Sequence, residues 1–164
     1  MTEKYPLDQL VAIKQKRLEE AERVLTEKKS ILATEEQKLQ ELEKKRDEIK
    51  EHYQSKLAQL REKLDAGAGT GQITPMKQYL KIVAENLKAE EIKVNAQVKV
   101  VANAQTQVDI ARQDLFKKQK DIEKLNIHHE EWKKEMHALE EQKEGHETDE
   151  MGSTRHSLKK RRKE

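Results

Sequence analysis

The sequence contains no cysteine, two prolines, five glycines and only five aromatic residues: one tryptophan, three tyrosines and one phenylalanine. Without cysteine there is no disulfide framework and no thiol chemistry. No apolar run approaches the ~20 residues that span a bilayer, and the N-terminus lacks the apolar core of a signal peptide. The net charge of +2 is too small to attract the whole chain to nucleic acid or a membrane. We therefore expect a soluble cytoplasmic protein.

What the chain does contain is charge: 40% of its 164 residues are charged and 34% are hydrophobic. A composition rich in Glu, Lys, Leu, Ala and Gln is typical of long helices and coiled coils. A compact domain would surround one core with layers of apolar residues. Here the apolar residues suffice for a seam between helices, which predicts an all-α fold.

Two uninterrupted heptad series support this prediction. In the first arm, one heptad position is occupied by Val11, Leu18, Leu25, Leu32, Leu39, Arg46, Tyr53 and Leu60. In the second arm, the corresponding series is Ile73, Leu80, Leu87, Val94, Val101, Val108, Leu115 and Ile122. Apolar residues that repeat every seven positions over this length indicate a coiled coil.

The stretch from Asp65 to Pro75 separates the two arms and holds three of the five glycines. Glycine tolerates positive φ and is unfavourable inside a helix, so this stretch predicts a helix end. Thr74 and Pro75 then predict a helix start, with Thr74 as N-cap and Pro75 at the first helical position. We predict a first arm over 6–65, a glycine-rich turn over 66–74 and a second arm over 75–143.

Folding the second arm back on the first pairs apolar with apolar positions over most of the length. In the predicted register Leu60 lies opposite Leu80, and Leu39 lies opposite Val101. The result is a long antiparallel two-helix coiled-coil hairpin, whose shorter arm of roughly 60 residues would be about 90 Å long.

The remaining segment, 144–164, is acidic at first and strongly basic at its end. Gly145 and Gly152 interrupt it, so we predict a disordered polar tail. The basic residues at 159–163 lack interleaved aromatic residues and follow an acidic segment that competes for them. A nucleic-acid partner is therefore not expected.

Neither a catalytic nor a cofactor site is expected from these residues. The glycine stretch follows a helix rather than a strand and lacks the Lys-Ser/Thr of a phosphate-binding loop. His128 and His129 are adjacent, whereas metal-ligating pairs on a helix need a spacing of three or four. The many carboxylates fall on exposed faces without a pocket, where they serve solubility. We predict no enzyme activity, no cofactor and no metal.

Two sets of apolar residues are candidates for partner binding. The first lies on the second arm, away from the predicted seam, and consists of Ile82, Ala89, Ile92 and Ala96. The second gathers at the open end of the hairpin, around Leu7, Leu10, Ile13, Arg17, Trp132 and Met136. The alternatives are that alanine is simply a good helix former, that single exposed isoleucines need no explanation, and that the open end covers itself.

The segment Tyr5–Glu22 resembles the opening of the YscO/FliJ-like stalk proteins of type III secretion and flagellar export. Leu7 and Leu10 form the Leu-x-x-Leu pattern, Lys14 and Arg17 supply basic residues about a turn later, and Ala21 follows. The hairpin architecture over about residues 5–143 fits as well, and the resemblance is closest to the chlamydial member.

The resemblance implies a stalk that stands in the central hole of a hexameric secretion ATPase, as the similar γ subunit does in rotary ATPases. It also implies contacts with the export gate protein and with secretion chaperones, and attachment to the membrane only through these partners. Our hypothesis is that the open end enters the ring and the glycine turn points away. The alternatives are a structural coiled-coil scaffold that self-associates and a chaperone-like clamp that grips clients near Gly67–Gly71.

Overall fold

A computed structural model describes residues 4–162 of the chain. Helix α1 spans Asp8–Asp65, helix α2 spans Thr70–Arg161, and residues 4–162 contain no strand. The two helices pack against each other as an antiparallel hairpin. The predicted all-α hairpin fold is confirmed.

The chain divides into two compact units, which we describe separately. The terminal unit comprises residues 1–20 and 116–164, and the turn unit comprises residues 21–115. Each unit contains a part of α1 and a part of α2. The turn unit holds the chain reversal, and the terminal unit holds both chain ends.

Helix α1 ends in a hydrogen-bonded turn that requires glycine. The N–H of Ala68 donates to the carbonyl of Lys63 at 3.0 Å, and the N–H of Gly67 donates to the carbonyl of Leu64 at 3.1 Å. This pair of bonds is the Schellman motif, whose C′ residue adopts a left-handed conformation. Gly67 does so, with φ of 77°. The sequence prediction that the glycine stretch ends the first arm is confirmed at this residue.

Helix α2 begins at Thr70 rather than at Pro75, so the predicted helix start is wrong. The carbonyl of Gly69 accepts the N–H groups of Gln72 and Ile73, which makes Gly69 the N-cap. Pro75 lies inside the helix. The physical reason for the earlier start is burial, since the added turn places Ile73 in a buried cluster with Leu60 and Leu80.

The buried side chains of the turn unit form a narrow seam between α1 and α2. They lie mainly on the heptad series of α2, as the sequence predicts, and at Val83 and Ala111, three residues after members of that series. The buried apolar residues of this unit are Ala21, Leu60, Ile73, Leu80, Val83, Val94, Val108 and Ala111.

The register of the seam in the turn unit differs from the predicted one. The side-chain amide of Gln97 donates to the main-chain carbonyl of Glu35 at 3.0 Å and to its carboxylate at 2.6 Å. The predicted register places Gln105 opposite Glu35. Lys45 pairs with Glu90 at 3.4 Å, which is displaced in the same direction. The helices are therefore offset by about one heptad from the prediction.

The terminal unit shows the same displacement. Lys14 Nζ contacts Asp121 Oδ2 at 2.9 Å, whereas the predicted register places Asn126 opposite Lys14. Tyr5 shares a hydrogen bond with His128 at 2.6 Å. Because both apolar series repeat every seven residues, a shift of one heptad still sets apolar beside apolar, and the pattern by itself does not distinguish the two registers.

The segment 144–164 was predicted to be a disordered tail. This prediction is wrong, because α2 continues as a helix to Arg161. The side chains from His137 to Arg162 are exposed, so no seam packing supports this segment. Helical hydrogen bonds are made within the segment, and Glu, Lys and Arg are good helix formers. The hydroxyl groups of Thr148 and Thr154 donate to carbonyl groups four residues earlier. Within residues 4–162 no helix is both long and apolar enough to cross a membrane.

We predict that Gly67→Ala lowers the free energy of unfolding by about 1–2 kcal/mol, because alanine is strained at positive φ. Urea unfolding followed by circular dichroism at 222 nm measures this loss. Gly145→Ala is the matched control. Both glycines have open space where a Cβ would stand, but only Gly67 has positive φ. Equal effects of the two substitutions would contradict the assigned turn.

Candidate partner-binding site

Tyr5 anchors the N-terminus to α2 in the terminal unit. It precedes α1, yet only 4% of its surface is exposed. Its ring stacks on His129 at a centroid distance of 4.3 Å and meets Trp132 at 5.3 Å, and its hydroxyl group is bonded to His128. We call Tyr5, His128, His129 and Trp132 the aromatic cluster. Burial raises the pKa of Tyr5, and the nearby Asp8 carboxylate raises it further.

Sequence reasoning found Tyr5 and Trp132 at the open end but did not assign the histidines to them. The signal was available in the spacing, since His128 and His129 precede Trp132 by four and three residues on one helix. Both histidines have ring partners in the structure. Among residues 4–162, no group of three or more His, Cys, Asp or Glu side chains is arranged to hold a metal ion.

The first turns of α1 have two distinct faces. Val11, Lys14 and Leu18 are half-buried and face the seam. Lys14 is held by Asp121, and the hydrogen bond and charge of Lys14 lower the pKa of that carboxyl group. The basic residue of the sequence motif at position 14 is therefore engaged within the chain.

Three of the candidate binding residues lie on the flank of α1, about 100° around the helix from this seam face. Leu10 and Ile13 are 38% and 49% exposed, and Arg17 is also exposed. Their spacing of three and then four residues places them on one side of the helix. Their exposed side chains form an apolar patch with a guanidinium group at its edge, which we call the outer α1 face.

The other candidates of the terminal unit are partly covered. Leu7, Trp132 and Met136 are each half-buried. Trp132 contributes to the aromatic cluster through its contact with Tyr5. The alternative that the open end covers itself therefore holds in part for these three residues, and it does not apply to the outer α1 face.

The candidates on α2 lie in the turn unit, and all four are exposed. Ile82 and Ile92 are 55% and 62% exposed, and Ala89 and Ala96 are exposed between and beyond them. We call these four residues the outer α2 face. The structure brings them together on one helix and leaves their role as a prediction.

Glu90 lies next to this face in sequence but points into the seam, where it is buried. Its Oε1 atom accepts from Lys93 at 3.0 Å and lies 3.4 Å from Lys45. Its Oε2 atom is buried and has no hydrogen-bond partner among the described residues. The hydrogen bond from Lys93 lowers the pKa of Glu90 by more than burial raises it, and the charges of Lys45 and Lys93 lower it further. The heptad series of α2 does not include Glu90, and only the structure shows its position in the seam.

Helix, seam and exposed faces together define a two-helix coiled-coil protein with exposed apolar side chains on both helices. A model of the YscO-like protein family matches residues 2–162. The chain therefore belongs to the YscO-like family.

A solved structure supports this assignment. The chain is similar to CT670 from Chlamydia trachomatis, which is described as a YscO homolog, with 42% sequence identity and a TM-score of 0.93. The match covers 98% of this chain and 99% of that chain. No curated protein sequence matches. The resemblance indicated by Tyr5–Glu22 is confirmed, and the chain is a type III secretion protein of the stalk type.

We predict that Tyr5→Ala releases the N-terminus from α2 and exposes Trp132 to water. Because the chain has one tryptophan, the emission maximum of its fluorescence should shift to longer wavelength. Tyr5→Phe is the matched control, since it keeps the ring contacts and loses only the bond to His128. For Tyr5→Phe we expect little shift of the emission maximum and a free energy of unfolding lower by about 1 kcal/mol. A spectrum of Tyr5→Ala identical to wild type would contradict the packing of the aromatic cluster.

We predict that Glu90 contributes to the acid sensitivity of the fold. Its pKa is lower folded than unfolded, so its stabilising effect is present above the ordinary carboxyl range and is lost as the pH falls through the folded pKa. Thermal unfolding between pH 7 and pH 3 should therefore show a shallower decline for Glu90→Gln than for wild type. The exposed Glu91 provides the control substitution Glu91→Gln, which should keep the wild-type decline.

Proposed function

We propose that this protein is a non-enzymatic stalk and adaptor of a type III secretion ATPase, at the cytoplasmic face of the secretion apparatus. Its partners would be the hexameric ATPase, the export gate protein and secretion chaperones. Membership of the YscO-like family supports this proposal and favours an adaptor role over catalysis.

The observation that carries the proposal is that one side of the start of α1 is held in contacts within the chain while another side is left exposed. The seam side of this segment is engaged by Asp121, and the chain before it is fastened by Tyr5. The outer α1 face is left exposed on a helix whose position these contacts hold. A preorganised apolar patch binds a partner with little ordering cost, and an exposed arginine adds directional donors.

The two helices differ in length, 58 residues for α1 and 92 for α2, and in sequence. A pair of unlike helices has no sixfold symmetry. Within a six-membered ring it would contact the subunits unequally and would favour different conformations in them. Such unequal contacts give a physical route from a passive stalk to stimulated ATP hydrolysis.

A second function is favoured by the outer α2 face. Exposed isoleucines flanked by small alanines let another helix approach closely, so this face also suits self-association into a scaffold. The mass in solution distinguishes the two functions, because the scaffold requires a dimer or larger assembly and the stalk functions as a monomer.

We predict that titrating the protein into its cognate secretion ATPase raises the rate of ATP hydrolysis and saturates near one stalk per hexamer. The double substitution Leu10→Glu and Ile13→Glu should weaken this stimulation about tenfold or more, because charge replaces the apolar contact. Circular dichroism should show an intact helical fold, since both side chains are exposed.

The matched control is Ile82→Glu with Ile92→Glu, which changes two isoleucines of the outer α2 face that are more exposed than Leu10 and Ile13. Stimulation should survive these substitutions. If the α2 variant loses stimulation and the α1 variant keeps it, the hypothesis that the open end of the hairpin enters the ATPase ring is wrong. If wild type neither stimulates the ATPase nor co-elutes with it, the stalk function itself is wrong.

A further inference from the structure

The apolar seam of the turn unit is compatible with two registers, and the structure occupies one of them. We propose that α1 and α2 of this unit exchange between the observed register and a second one, displaced by one heptad. The second register is reached by unwinding residues 70–74 at the start of α2. This inference goes beyond the proposed function and concerns a conformational change within the hairpin.

The first argument is the equivalence of the apolar contacts. Leu60 packs in one cluster with both Ile73 and Leu80, which lie seven residues apart on α2. Sliding by one heptad removes the contact with Ile73 and keeps that with Leu80. Along the seam, each apolar residue of α1 exchanges one member of the α2 series for the next. At 1.5 Å per residue the displacement is about 10 Å.

The second argument is that the start of α2 is weak. Gly71 lies in its first turn, and Pro75 lies in its second, where proline removes a helical hydrogen bond and crowds the carbonyl group of Gly71. Unwinding residues 70–74 would make Thr74 the N-cap and Pro75 the first helical residue, which are favourable roles for both. The same residues therefore provide a second helix start and a longer connection.

The third argument concerns what selects the observed register. The bonds from Gln97 to Glu35 and the pair of Lys45 with Glu90 are specific to it. After a slide of one heptad, Ala104 would stand beside Glu35, and these pairs would be lost. Buried polar pairs in coiled coils are the best-attested means of choosing a register. Since α1 and α2 are continuous beyond this unit, the slide would also break the Lys14–Asp121 pair and the contacts of Tyr5. The balance is thus between these contacts, the polar pairs and Ile73 on one side and the release of Pro75 and Gly71 on the other.

Cysteine cross-linking tests the proposal cleanly, because the chain has no cysteine of its own. Leu39 lies on α1 between Glu35 and Lys45, the members of the two polar pairs. It is the α1 cysteine position in all three double-cysteine variants. L39C/V94C reports the observed register, L39C/V101C reports the displaced register, and L39C/V108C is a control outside both. The measurement is the rate of disulfide formation under mild oxidation in the full chain.

We expect L39C/V94C to react fastest and L39C/V101C to react roughly 10- to 1000-fold more slowly, as for a minor state of roughly 0.1–10%. L39C/V101C should still react clearly faster than L39C/V108C. Gly71→Ala with Pro75→Ala should slow it about tenfold by strengthening the first turns of α2. Gln97→Leu with Glu90→Leu should accelerate it, since apolar residues at these positions favour neither register.

Equal rates for L39C/V101C and L39C/V108C would overturn the proposal, because fraying reaches both positions without a discrete second register. An L39C/V101C rate that is insensitive to Gly71→Ala with Pro75→Ala would overturn it as well. Circular dichroism of each variant before oxidation verifies that the helices are formed. Neither outcome depends on ATPase stimulation, so failure here leaves the stalk function standing.

Discussion

The structure depends on one constraint: each helix can bury only a narrow stripe of its surface, and only against the other helix. Backbone hydrogen bonds are satisfied locally along α1 and α2, so only the side chains of this stripe join residues that are distant in sequence. Few side chains are buried, and Val108 is the most completely buried of the described apolar residues. The consequence for function is that nearly all remaining surface is open to partners, and a few contacts at the seam decide how it is presented.

Polar residues at the seam have a specific part in this arrangement. The Glu35 and Glu90 carboxyl groups each have a lowered pKa because donors from lysine or glutamine hold the charged form. Such pairs add little net stability, since desolvation offsets much of the attraction. Their contribution is selectivity, because an apolar heptad repeat tolerates displacement by a whole repeat and a particular carboxylate–donor pair does not.

In the terminal unit, some side chains of the N-terminal segment contact α2 and others are exposed as candidates for partner binding. Tyr5 and Lys14 use the seam side of the N-terminal segment, and this leaves Leu10, Ile13 and Arg17 on the outer α1 face. Candidate binding residues and structural residues thus alternate along the first turns of α1. A substitution at Tyr5 therefore acts through packing, whereas one at Leu10 acts at the surface, and the two kinds of effect are separable by experiment.

The sequence alone determined the helices, the antiparallel hairpin, the end of α1 at Asp65 and the YscO-like resemblance. These follow from local propensity and a seven-residue repeat, which are properties of sequence order. The register and the start of α2 at Thr70 were decided only by the three-dimensional structure. The helix beyond residue 143 was not predicted, although it is held by hydrogen bonds within the segment. The apolar repeat is unchanged by a shift of one heptad, so the choice depends on contacts between distant residues, such as Glu35 with Gln97. The contacts of Tyr5 with His128 and His129 likewise depend on the observed register, although the spacing of the two histidines from Trp132 is visible in the sequence.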